Sequence, residues 1–158
     1  MNITQSLIFF TALIPALVAA QEPAQVLDHQ HTEAIQLVDG YVRMPPPGSE
    51  IAVAYLTLRN QASETVTLTK MASPSANRVE LHEHLMANGM MQMRHLEQHS
   101  IAGGSSLVMQ PGGLHLMLIG LSQPLLNGNE VDVTLCFDTG FCNEARLRVS
   151  VDDGRVRD

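Results

Sequence analysis

Tryptophan is absent from this chain of 158 residues, and its aromatic complement stops at four Phe and two Tyr. Bases are held on single-strand binders by stacking on aromatic faces, and sugars are held in a similar way, so neither a nucleic-acid nor a carbohydrate platform is expected. Positive charge is scarce too: nine Lys and Arg stand against sixteen Asp and Glu, for a formal net charge of −7. Such a surface repels phosphate backbones and anionic lipid, and mildly attracts cations and basic proteins. Only two cysteines occur, Cys136 and Cys142, away from the histidines and not in a C-x-x-C spacing. A blue-copper or oxidase centre lacks its Cys ligand, and a zinc hydrolase lacks its three His or carboxylate ligands and its base. No nucleophile elbow or phosphate-binding glycine loop is present either, so an enzyme is not expected.

Long apolar runs are missing except at the start, where MNITQSLIFFTALIPALVAA is apolar from Leu7 to Ala20 and ends in small residues. That pattern predicts a cleaved signal peptide over 1–20, export to the periplasm, and no membrane span in the mature form. About 138 residues then remain, enough for one domain with a real core. Residues 21–34 are polar and non-periodic and read as a flexible leader. It carries His29 and His31, two imidazoles that can take a Cu(II) ion. The domain itself is expected over 35–151, with 152–158 as a C-terminal tail.

From Ile35 onward, short apolar runs alternate with turn residues and no segment keeps a helical period, which predicts an all-β sandwich or barrel. The expected strands are 35–42, 51–59, 65–71, 78–86, 90–96, 105–109, 115–120, 130–137 and 141–151. Met44 to Gly48 contains three consecutive prolines, which cannot donate to a ladder, and reads as a loop. Cys136 and Cys142 flank Phe137, Asp138, Thr139, Gly140 and Phe141. A three-residue loop with Gly140 in the left-handed region sets Cys136 opposite Cys142 and predicts a cross-strand disulfide in an oxidising compartment.

The stretch from Val79 to Leu121 holds five of the seven His and six of the nine Met. Thioether sulfur is a soft uncharged donor and imidazole a borderline one. A cluster of both, without a carboxylate-rich loop or thiolate pair, favours Cu(I) over zinc, calcium or magnesium. Asn88-Gly89 between two β-like runs predicts a hairpin with a two-residue turn. Ala87 then pairs with Met90, His82 with His95 and His84 with Met93, which puts His82 and Met93 on one face about 7–8 Å apart at the backbone. Downstream, His115 and Met117 are two apart in a strand and project together, while Leu114, Leu116 and Leu118 face the core. Met86, Met90, Met91 and Met109 lie close by as candidates for the rim, and His84, His95 and His99 as supporting or solvent-facing residues.

Ten residues separate His82 from Met93, twenty-one separate Met93 from His115, and one separates His115 from Met117. This H-x(10)-M-x(21)-H-x-M pattern, with VELHE, MQMR, QPGGLHLMLIGL and QPLLNGNEVDVTL around it, resembles the motif of the PCu(A)C periplasmic copper chaperones. The similarity runs from about Ile35 to Val151. It implies a cupredoxin-like Greek-key β-sandwich with His82, Met93, His115 and Met117 as Cu(I) ligands. It also implies delivery to the CuA centre of cytochrome c oxidase, or otherwise periplasmic copper buffering or resistance. The partners so implied are a copper-accepting protein such as an oxidase subunit, and another copper or thiol-redox chaperone. Unlike some relatives, the chain ends VDDGRVRD without a His or Met tail, which leaves His29 and His31 as the candidates for a second Cu(II) site.

Overall fold

The computed structural model describes residues 35–87 and 89–151. The expected signal peptide and leader, including His29 and His31, the turn residue Asn88 and the tail 152–158 lie outside the described residues. Ten strands follow one another: β1 (Ile35–Arg43), β2 (Ile51–Asn60), β3 (Val66–Ala72), β4 (Ala76–Ala87), β5 (Met90–Leu96), β6 (His99–Ile101), β7 (Ser106–Val108), β8 (Leu114–Leu121), β9 (Glu130–Phe137) and β10 (Cys142–Ser150). Nine coincide with expected strands to within about two residues, and no helix occurs among the described residues. The tenth, β6, is three residues long and too short to show any alternation.

Hydrogen bonds run in one path, β5-β4-β8-β2-β1-β10-β9-β3-β6, with β7 added alongside β2. The parallel pairing of β1 with β10, Tyr41 beside Arg148, joins two antiparallel halves. Those halves share one core. Leu56 and Leu58 of β2, Leu81 of β4 and Leu116 and Leu118 of β8 pack in the same cluster as Leu68 of β3, Val131, Val133 and Leu135 of β9 and Leu147 of β10. Each of these side chains is buried, and full burial of a Leu or Val is worth about 1.5–3 kcal/mol. All ten strands belong to one sheet, in which β8 enters between β4 and β2 and β9 between β10 and β3, so the β2–β3, β3–β4 and β8–β9 connections cross from one half to the other. Cys136 and Cys142 are register partners and form the expected disulfide, in the half that does not carry the His/Met cluster.

The half made of β5, β4, β8 and β2 decides where the His and Met side chains go. Along β4, Val79 and Leu81 are buried in the core, so period two sends Glu80, His82 and His84 to the opposite face. Along β8, Leu116 and Leu118 are fully buried, and His115 and Met117 share the face of Glu80 and His82.

Candidate metal centre

The β4–β5 hairpin has the register expected from its turn, with Ala87 opposite Met90, His84 opposite Met93 and His82 opposite His95. Gly89 sits at φ +75, a conformation that costs a side chain without Cβ nothing. One face of the hairpin therefore carries three successive pairs, His82/His95, His84/Met93 and Met86/Met91. The other face carries Met90, Leu85 and a Glu83–Arg94 ion pair of 2.7 Å. Met90 is thus turned away from the cluster, and Met109, only 3 % exposed, belongs to the core. His99 lies on β6, at the far end of the strand path.

β8 supplies the rest. It places His115 directly beside His82 and Met117 directly beside Glu80. The two imidazoles stack, with centroids 6.0 Å apart and planes at 26°, and His84 approaches His115 at 4.8 Å. Of the four residues singled out by the spacing, His82 and His115 are brought into contact. Met93 and Met117 flank that pair from opposite sides, Met93 one register step toward the hairpin tip and Met117 one step away from it. Met93 is about half exposed and Met117 partly buried.

Hydrogen bonding decides which nitrogens are free. His115 is 2 % exposed, and its Nδ1–H donates to the Gly113 carbonyl at 3.0 Å, so its lone pair is on Nε2. The same carbonyl accepts the His84 backbone N–H at 3.2 Å, which ties the Pro111-Gly112-Gly113 turn to both histidines. His82 donates Nε2–H to the Glu80 carboxylate at 2.9 Å, and Arg78 Nε donates to the other Glu80 oxygen at 2.8 Å. The Nδ1 atoms of His82 and His84 are left buried without a hydrogen-bond partner. An unsatisfied buried polar atom costs about 1–3 kcal/mol, which a bound cation at either atom would offset. The hydrogen bond from His82, helped by Arg78, holds the Glu80 carboxyl below its ordinary pKa. Burial pushes the His115 imidazole below its ordinary value, the Gly113 bond opposing and the neighbouring His84 and His82 adding to the shift.

Five rings line up across the sheet: Tyr41 to Tyr55 at 5.3 Å, Tyr55 to His115 at 6.4 Å, His115 to His82, and His82 to His95 at 5.4 Å. Tyr55 and Tyr41 wall the inner end. Neither tyrosine nor Glu80 is marked as a site residue by the local sequence, because Tyr41 reaches the cluster through the β1–β2 pairing, Tyr55 from β2 beside β8, and Glu80 through the β4–β8 pairing. Among the described residues no three His, Cys, Asp or Glu side chains converge into a metal-holding group. Met93 and Met117, which flank the His82/His115 pair, are thioether donors of the soft kind that suits Cu(I) better than zinc.

Comparison with known proteins agrees with this architecture. The LpqE-like lipoprotein family model matches residues 35–151. A protein of Leifsonia xyli subsp. xyli carrying the lipoprotein designation Lxx21020 is 32 % identical over 132 residues, spanning 83 % of this chain and 75 % of that one. The solution structure of CuI-DR1885 from Deinococcus radiodurans is 30 % identical, with a TM-score of 0.56 over 74 % of this chain and 79 % of its own. The copper-bound PCuAC domain from PmoF2 superposes with a TM-score of 0.64 at 21 % identity, over 75 % of this chain and 94 % of that domain, and shows the shared fold. Since the family match runs from the first residue of β1 to just past the end of β10, the chain belongs to the LpqE-like family and is built on the PCuAC fold.

Proposed function

We propose that this protein binds one Cu(I) through His82, Met93, His115 and Met117 and hands it to a copper-accepting protein outside the cytoplasm. The observation that carries the reading is the pairing of the partly buried His82 with the buried His115. The pair's tautomers are fixed by Glu80 and Gly113, the Nδ1 of His82 is unpartnered, and the register puts Met93 and Met117 one step to either side of the pair. Copper is cargo here, and the role is binding and transfer rather than catalysis. Neutral ligands leave the ion its positive charge and hold it less tightly than thiolates would, as a donor protein requires. Thioethers have no proton to gain in mild acid and are not drawn into disulfides. Glu80 acts as a positioning residue: it accepts Nε2–H, turns Nδ1 of His82 toward the site and raises its basicity. The relative from Deinococcus radiodurans, described as CuI-DR1885, supports the choice of metal and oxidation state. The lipoprotein designations of the family and of the Leifsonia protein support export.

The acceptor we propose is the CuA centre of a cytochrome c oxidase subunit. The test mixes Cu(I)-loaded protein with the apo soluble CuA domain under reducing conditions and follows the copper by gel filtration. Copper in the acceptor supports delivery. Retention on the donor at every ratio overturns it in favour of buffering.

A further inference from the structure

We propose that the outer half of the β4–β5 hairpin is a second, weaker Cu(I) site, built from Met86, Met91 and His84 with Met93 shared between it and the inner site. The residues are assembled by register. Met86 and Met91 are direct partners, one step beyond the His84/Met93 pair and on the same face. Side chains directly opposite start about 4.5–5.5 Å apart at Cβ, so two flexible thioethers reach one ion without moving the backbone. The independent observation is His84 Nδ1, buried and without a hydrogen-bond partner while its own backbone N–H is held by Gly113. Two sulfurs and this nitrogen form a soft three-coordinate set of the kind Cu(I) accepts.

Exposure rises along the ladder, from His115 at 2 % to Met93 at 51 %, Met91 at 66 % and Met86 at 67 %. An ion can move along it by ligand exchange, one imidazole or thioether bond forming as another breaks, with copper staying in the +1 state and no proton released. Met93, paired with His84 and one step from Met91, is the ligand common to both ends. Met90 carries the same chemistry on the opposite face and takes no part. The inference rests on the same soft-metal reading as the proposed function but names different residues.

The test titrates Cu(I) into the full-length protein labelled with 13C at the methionine methyls, under anaerobic reducing conditions. The first equivalent should shift Met93 and Met117, and the second Met86 and Met91, with Met90 unmoved. M86L/M91L should lose the second equivalent and keep the first, whereas M90L keeps both. These side chains are exposed, so folding is preserved, and unchanged circular dichroism checks it. Saturation of the wild type at one equivalent, or a second equivalent surviving in M86L/M91L, overturns the outer site and leaves the inner one standing. A first equivalent that leaves Met93 and Met117 unshifted overturns the inner ligand set instead.

Discussion

Replacing Glu80 tests whether the histidine nitrogens are set for a metal. Glu80 makes two short bonds, one accepted from His82 Nε2 at 2.9 Å and one from Arg78 at 2.8 Å, so the carboxylate is held in place before any ion arrives. Removing the acceptor behind a metal-binding imidazole typically costs about 10–100-fold in affinity, or about 1.4–2.7 kcal/mol. Glu80→Ala should therefore weaken Cu(I) binding by that amount. Glu80→Gln keeps an oxygen for Nε2–H but loses the charge, and charge-assisted bonds are about twice as strong as neutral ones. Its loss should be about half as large in free energy, roughly threefold to tenfold. Arg78→Ala leaves the acceptor in place and should change affinity least. Competition against a chromophoric Cu(I) chelator measures all three, with circular dichroism as the folding control. Wild-type affinity in Glu80→Ala, or a larger loss in Glu80→Gln than in Glu80→Ala, would refute the positioning role.

Other expectations follow from burial and charge. The His115 imidazole has its folded pKa below the ordinary 6.5 because it is buried. The unfolded chain therefore takes up the proton first, so this contribution to stability is complete above pH 6.5 and is lost as pH falls toward the folded value. Urea midpoints measured between neutral and mildly acid pH should drop more steeply for the wild type than for His115→Phe, and equal slopes would contradict this. Leu81 and Leu116 are register partners with no exposed surface, and either Leu→Ala change should cost about 2–5 kcal/mol in urea unfolding. The Cys136–Cys142 bridge closes a short loop, with a sequence separation of 6, so the double Cys→Ser variant should lose only about 2 kcal/mol while Cu(I) affinity stays unchanged.

Local chemistry made much of this molecule readable from its sequence. Asn88-Gly89 alone specified the hairpin register, and with it the face shared by His82, His84, Met93 and His95. Period two in LHLML put His115 and Met117 together and Leu116 and Leu118 in the core, as found. The three-residue loop after Phe137 aligned the cysteines. What stayed hidden depended on pairings between distant strands. Nothing local to Glu80 says that β8 will lay His115 beside His82 and Met117 beside Glu80 itself. Nothing near Tyr55 says that β2 will bring its ring against His115. His115 was expected at a ligand face, yet it is almost fully buried because Tyr55 and His84 close over it. The parallel β1–β10 contact, which joins the two antiparallel halves into one strand path, likewise links the two ends of the domain.

X-ray absorption at the copper edge on the Cu(I)-loaded protein bears most directly on the proposed site, comparing wild type with His82→Ala, Met93→Ala and His115→Ala/Met117→Ala. The tightest-bound equivalent should show mixed imidazole nitrogen and thioether sulfur scattering. Sulfur should diminish in Met93→Ala, nitrogen in His82→Ala, and tight binding should be lost in the double variant. Copper held no more tightly than zinc, or variants that keep wild-type affinity and scattering, would contradict it.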